Sequence, residues 1–291
     1  MPPMASVERR DDVFVIHLAN GENRWNTTFV REIAAALDDV EAAGGGVDGK
    51  GPAALAFCSD DPKFFSNGLD LAWMTAKDRD EQEALGGPWK PFNPGVMALF
   101  ARIMTNPIPT LAAVGGHCFG AGMMLALCCD AIFMREDRGN MCANEVELGF
   151  AIPEPELALF RHKLPIHAFY ETVMLAKRWS GPEALSAGIV QQICPADALL
   201  DEAVAEAQRM AKRLTRNRKA FAWQKEHIYG EHAAIQGSHG PAYMLRNLAS
   251  LRLAQAHRPQ IRSFRRRRDE ERAPPHRNAM ELFEHWCLLS E

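Results

Sequence analysis

The sequence predicts an α/β protein: strand–turn–helix units up to about Pro195, followed by an all-helical region. Three observations carry this. Short apolar runs bounded by turn residues recur at Val13–Leu18, Ala53–Cys58, Ile108–Val114 and Ala131–Met134, the mark of buried strands. Helical periodicity lies between them. From Leu199 onward strand signals cease, and apolar residues recur at helical spacing through Val204, Met210, Leu214, Phe221, Trp223, Met244, Leu248 and Leu251. With 291 residues, 47% of them hydrophobic, the chain can bury a sizeable core.

Taken in order, Asp12 to Leu18 alternates in polarity and runs into Asn20-Gly21, a strand and a turn. Asn26 or Thr27 caps a helix whose Phe29, Val30, Ile33, Leu37 and Val40 share one face, and Gly44-Gly45-Gly46 ends it. After the strand Ala53–Cys58, the segment Ala76–Leu85 is charged and reads as a solvated loop or a flap. A helix is expected over Val96–Met104, another starting at Glu156, and another over Tyr170–Lys177. Ser180-Gly181-Pro182-Glu183 opens a short helix, Gly188 closes it, and Ile189–Ile193 is expected as a strand.

Composition excludes several classes. A net charge of −4 leaves no nucleic-acid footprint. The seven cysteines form no C-x-x-C pair and sit mostly in apolar runs, so they read as buried thiols in a reducing compartment, and no metal site is expected. The most apolar stretch, Ile108–Met134, is broken by glycines, His117 and Asp130; it is core, not a membrane span. The N-terminus lacks a secretory h-region and the C-terminus lacks an S-K-L address.

Two segments carry chemistry. Ala112 to Asp130 passes from a strand through Gly115, Gly116, Gly120 and Gly122 into an apolar helix. The first N–H groups of a helix have no intrahelical partner and can hold a developing oxyanion. Phe64-Phe65-Ser66-Asn67-Gly68-Leu69-Asp70-Leu71 repeats the arrangement, a Gly and free donors just past a short run. Together they resemble the crotonase superfamily, the enoyl-CoA hydratase/isomerase family, from about Val13 to Ile193. That resemblance implies the crotonase (ClpP-like) fold, a spiral of ββα units. It implies a core over residues 1–195 holding an acyl-CoA site, and a helical region over 196–291 for site closure and assembly into a homotrimer or hexamer.

By the same resemblance, the N–H groups of Leu69 and Ala121 form the oxyanion hole, and Glu145, aligned on Leu148-Gly149, is the catalytic carboxylate. Ser66, Asn67, Gly68, Asp70, Gly120, Gly122 and Met124 line the substrate site. Hydratases of the family hold a second carboxylate where Met124 stands here, and a thioether cannot exchange a proton. The pattern resembles the Δ3-Δ2-enoyl-CoA isomerase branch, which moves a double bond with one glutamate in β-oxidation of unsaturated fatty acids. No cofactor is expected beyond the coenzyme A of the substrate. A hydratase or thioester hydrolase using Glu147, Glu154 or Glu156 as second acid stays open, as does a non-catalytic acyl-CoA-binding protein. His117 reads as a structural hydrogen-bonder. Arg265–Arg268 reads as a solvated helix face or a contact to CoA phosphates. The resemblance implies a peroxisome or related organelle, with mitochondrion and cytosol as alternatives.

Overall fold

The computed structural model describes residues 3–75, 89–230 and 240–247. In chain order the elements are β1 (Ala5–Arg10), β2 (Val13–Leu18), α1 (Thr27–Val40), β3 (Ala54–Ser59), β4 (Phe64–Ser66), α2 (Leu71–Thr75), α3 (Trp89–Met104), β5 (Thr110–Val114), β6 (His117–Phe119) and α4 (Ala121–Cys128). There follow β7 (Ala131–Arg135), β8 (Met141–Cys142), α5 (Glu154–Lys163), α6 (Ile166–Leu175), α7 (Gly181–Ser186), β9 (Gln192–Cys194), α8 (Leu199–Leu214), α9 (Arg218–Tyr229) and α10 (Pro241–Arg246). The segment Ala76–Leu85, expected as a solvated loop or a flap, the positions Leu248 and Leu251, and the run Arg265–Arg268 lie outside the described residues.

The strands sort into a six-stranded sheet ordered β1-β2-β3-β5-β7-β9 and a three-stranded sheet ordered β4-β6-β8. β1 is antiparallel to β2; every other pair is parallel. The pairs β3–β4, β5–β6 and β7–β8 each place one strand in the large sheet and the next in the small one, then continue into helix. This is the expected ββα repeat.

Burial on both faces explains why the strands read as continuous apolar runs. Phe14, Ile16, Leu18, Leu55 and Phe57 face a core shared with α1, α3, α4 and α5. Val13, Val15, Ala54, Ala56 and Ala113 face the opposite side, which α8 covers with Ala203, Ala207 and Ala211. Small residues on both partners let helix and sheet approach closely, so α8 belongs to the packing of the large sheet although it follows Pro195.

Several local expectations shift. α3 begins at Trp89 and not at Val96. β1 was not anticipated. α5 begins at Glu154, because Pro153 and Pro155 fit the cap and first turn. α6 begins at Ile166 after Pro165 and ends at Leu175, where Ala176 turns left-handed. The strand expected over Ile189–Ile193 is Gln192–Cys194, because the N–H groups of Ile189 and Val190 both donate to the carbonyl of Ala184 and close α7.

At the sheet edge His17 ties three elements together. Its Nδ1 lies 2.8 Å from Asp60 Oδ1 and 3.4 Å from Cys58 Sγ, and its Nε2 lies 2.9 Å from Glu8 Oε2. Cys58, Asp60 and Glu8 favour the imidazolium against the burial that opposes it, and the pKa rises to about 10. A His raised in the folded state contributes stability that is complete below its ordinary value and is lost as pH climbs through the folded one. His17→Gln should therefore cost about 1–2 kcal/mol at pH 7 and little above pH 10. Urea melts of both proteins at the two pH values measure this, and a gap that widens with pH would refute it.

Candidate active site

The site is built on the small sheet. β4, β6 and β8 lie side by side and parallel, and each runs at its carboxyl end into one of the candidate segments. β4 leads to Asn67-Gly68-Leu69, β6 to Gly120-Ala121 and β8 to Ala143-Asn144-Glu145. In open parallel sheets this end is where ligands sit. Residues far apart in sequence thus meet through register.

Both backbone donors are presented by the ladder. The N–H of Trp25 donates to Gly68 O at 2.9 Å, and the N–H of Asp70 donates to Trp25 O at 3.0 Å. These bonds straddle Leu69, so its own N–H points away from Trp25. On the neighbouring strand the N–H of Gly120 donates to Cys142 O at 2.9 Å, and the next residue, Ala121, opens α4, so its N–H has no intrahelical acceptor. Gly68 and Gly120 have φ of +72° and +50°, where an L side chain is strained. The two backbones are in contact: a methyl on either would lie 3.8 Å from the other's Cα, and one on Gly68 would press on Phe119 O at 3.1 Å.

Glu145 stands beside them. Its Oε1 is 3.3 Å from the point where a Cβ on Gly120 would lie, and its carbonyl closes a turn by accepting from the N–H groups of Leu148 and Phe150 at 3.1 and 2.8 Å. The residue as a whole is half-buried, but Oε2 is shut off from solvent with no hydrogen bond among the described residues. Burial pushes its carboxyl up to about 7, the range suited to a general base. Met124 is 3% exposed and sits in the core with Met123, so an apolar wall stands at that position on α4.

Other expected site residues act from behind the loop. The Ser66 side chain is fully buried; its hydroxyl accepts from Trp25 Nε1 at 2.9 Å and donates to Asn23 O at 2.7 Å. Asn23 in turn donates to Ser59 Oγ and Phe65 O. Asn67 donates to Glu22, and Asp70 accepts from Asn26 and caps the N–H of Trp73. Gly122 lets α4 lie directly on Ser66. Thus Ser66, Asn67, Asp70 and Gly122 fix the Asn67-Gly68-Leu69 loop through contacts within the protein. Trp25 and Asn23 went unnoticed in the sequence; only the Asn20-Gly21 turn beside them was visible. Trp25→Phe, which removes the bond to Ser66, should lower turnover about tenfold with modest loss of stability; full activity in steady-state assays would refute the linkage.

The rival acids separate clearly. Glu147 is exposed and forms a bidentate pair with Arg178 at 2.9 and 2.6 Å. Glu154 is half-buried in the first turn of α5. Glu156 is 8% exposed; burial and then the charge of Glu145 push its carboxyl up to about 8. His117 is held between the Phe64 and Phe119 rings, and burial, then Lys63 and Arg138, lower its pKa. Among the described residues no group of three acids, histidines and cysteines is placed to hold a metal. No described helix is long and apolar enough to cross a membrane.

The enoyl-CoA hydratase/isomerase family profile matches residues 8–253. The chain is 34% identical over 191 residues to the enoyl-CoA delta isomerase 2, peroxisomal, of Arabidopsis thaliana, covering 64% of this chain and 75% of the relative. It is 31% identical over 216 residues to a putative enoyl-CoA hydratase of Thermus thermophilus, covering 72% and 78%. A crystal structure of a probable enoyl-CoA hydratase from Mycobacterium tuberculosis has the same fold, with a TM-score of 0.70 at 24% identity over 87% of this chain and 98% of that one. Two backbone donors and a half-buried glutamate at the ends of three parallel strands stand in a crotonase fold, and the chain belongs to the enoyl-CoA hydratase/isomerase family.

Proposed function

We propose that this protein is a Δ3-Δ2-enoyl-CoA isomerase acting in β-oxidation of unsaturated fatty acids. The observation that carries the reading is one carboxylate with a solvent-shielded oxygen, Glu145, beside two backbone N–H groups, those of Leu69 and Ala121, with no backbone acceptor among the described residues, and Met124 where a hydratase needs a second acid. The relative described as a peroxisomal delta isomerase supports both the reaction and a peroxisome or related organelle. The substrate thioester oxygen accepts from Leu69 and Ala121. Ionised Glu145 takes a proton from C2, and the C2–H electrons delocalise into a dienolate held by the two N–H groups, each worth about 10²-fold or more in rate. A proton returned to C4 gives the 2-trans-enoyl-CoA. No cofactor is required beyond the coenzyme A carried by the substrate.

Hydratase chemistry is the second reading, favoured by Glu156 alone. Water addition needs a water fixed and activated at C3, and the Met124 wall keeps that side apolar. Incubation with 3-enoyl-CoA and with 2-trans-enoyl-CoA, following both products, tests the proposal. Isomerisation should dominate; hydration at a comparable rate would overturn it, and binding without turnover would point to an acyl-CoA-binding protein. Because the base must be ionised, kcat should rise with pH through about 7 and then level; a rate falling over that interval would contradict the role of Glu145.

The same reading includes assembly into a trimer or hexamer. Ile166, Tyr170, Met174 and Leu175 on α6 are 65%, 57%, 63% and 71% exposed, an apolar face that a neighbouring copy would cover. Light scattering showing a monomer at micromolar concentration would refute it.

A further inference from the structure

Glu145 is carried by a turn that the core holds on one side only. Before it, Ala143 is buried. After it, residues 146–149 are all exposed, Val146 by 50% and Leu148 by 45%. The backbone bonds of the turn stay within it: Leu148 N–H donates to Asn144 O and Glu145 O, Gly149 N–H to Val146 O, and Phe150 N–H to Glu145 O. Such bonds set how sharply the chain bends but not where the bend points. Among the described residues, the hydrogen bonds that join residues 146–149 to another part of the chain come from Arg178 to Glu147, Nη1 to Oε1 at 2.9 Å and Nη2 to Oε2 at 2.6 Å.

Arg178 stands on a rigid mount between α6 and α7. Its neighbour Trp179 is 3% exposed, donates from Nε1 to Thr172 Oγ1 at 2.8 Å, and pairs both ways with the backbone of Met141 at 2.9 Å. Ala176 O accepts from Cys142 Sγ at 3.2 Å. Lys177 pairs with Glu171 and lies over the Trp179 ring, and Ser180 forms a capping box with Glu183. Residues 176–180 thus grip β8 at Met141 and Cys142, and grip the outer side of the turn through Arg178. Glu145 lies between the two grips. A bidentate guanidinium fixes direction as well as distance, which a lysine ammonium does not. An exposed pair adds little to global stability, but a carboxylate that must line up with a reacting carbon is sensitive to small displacements.

Building on the isomerase reading, we propose that Arg178 is a positioning residue for the reaction: by gripping Glu147 it holds the turn so that the Glu145 carboxylate faces C2 of a thioester bound at Leu69 and Ala121. Neither Arg178 nor Glu147 touches the substrate. Glu147, a rival acid by sequence, becomes the tether of the base. The influence of Arg178 is geometric, since burial and then a backbone hydrogen bond set the Glu145 carboxyl and the guanidinium charge is not among the causes.

Arg178→Ala cuts the tether at one end. With 3-enoyl-CoA, kcat should fall about tenfold while KM changes by less than about twofold, because the Leu69 and Ala121 N–H groups are untouched. Glu147→Gln should lose about as much, and Arg178→Lys less. Combining Arg178→Ala with Glu147→Gln should cost no more than either alone, since the second cut releases nothing further. A turn that swings outward wets Oε2, so the midpoint of the kcat–pH profile should move from about 7 toward 4.5 in Arg178→Ala; a residue that only stabilised the fold would leave that midpoint in place. Wild-type kcat in Arg178→Ala, losses that multiply in the double variant, or a midpoint that stays near 7 overturns the proposal and leaves the isomerase reading standing. A wild type that leaves 3-enoyl-CoA unchanged refutes that reading, and the proposal with it.

Discussion

Glu145→Gln will lower the turnover of 3-enoyl-CoA by about 10³-fold or more while acyl-CoA affinity stays near that of the wild type. Glutamine keeps the length and polarity of the side chain but cannot accept the C2 proton, whereas the Leu69 and Ala121 N–H groups proposed to hold the thioester are backbone groups and remain. The same substitution should stabilise the fold at alkaline pH. The Glu145 carboxyl lies at about 7 against an ordinary value of 4.5, so between those values the folded chain holds more protons than the unfolded one. Stability then falls as pH rises through that window, and above it the buried charge keeps its full cost. Glutamine has no such charge, so the variant should be more stable than wild type by about 1–3 kcal/mol at pH 8, with the gap closing below pH 4.5. Steady-state kinetics and paired urea melts measure both effects. A variant that retains most of its turnover would sink the assignment of Glu145.

Gly122→Ala will be nearly as damaging without touching a titratable group. A methyl there would lie 2.6 Å from Ser66 Cβ and 2.8 Å from Ser66 O. Ser66 cannot withdraw, because Trp25 and Asn23 hold its hydroxyl from either side. The first turn of α4 must therefore lift off β4, carrying the Ala121 N–H out of line with that of Leu69. The expected cost is about 10²-fold in turnover and about 1–3 kcal/mol in stability. Gly115→Ala is the control: its methyl would meet nothing nearer than Leu199 Cδ2 at 3.9 Å, and activity should hold. Equal effects from the two substitutions would refute the steric account.

How far the site was legible in the sequence depended on how local its causes are. The two glycine segments, Glu145 and Met124 could be read because turn chemistry and the family pattern sit in contiguous residues, and the strands of the large sheet could be read because burial on both faces leaves them wholly apolar. β6 was hidden. His117-Cys118-Phe119 lies between glycine pairs and becomes a strand only because β4 and β8 flank it, a pairing no local window contains. β1 was hidden for another reason: in ASVERR the polar residues of an edge strand mask its alternation. Glu156 was visible as one of three candidate second acids at or near a helix start, but its burial was not. Its inward turn follows from how α5 meets α4, a tertiary fact, and so does the gathering of Glu8, Cys58 and Asp60 around His17.

The small sheet also bears on how the chain acquires activity during folding. Its strands begin at residues 64, 117 and 141, and Met141 pairs both ways with the backbone of Trp179. Each contact therefore closes a long loop, and loop closure of this kind makes native topology slow to form. In a chain still emerging from the ribosome, the Leu69 and Ala121 N–H groups are not brought together until β6 has emerged and found β4, and Glu145 is not in place until the turn after β8 is seated. Secondary structure can thus be largely in place before any acyl-CoA binds. Ligand that binds only the finished sheet draws the equilibrium toward it by mass action, so the recovery of acyl-CoA binding after dilution from denaturant should lag behind the recovery of helical circular dichroism.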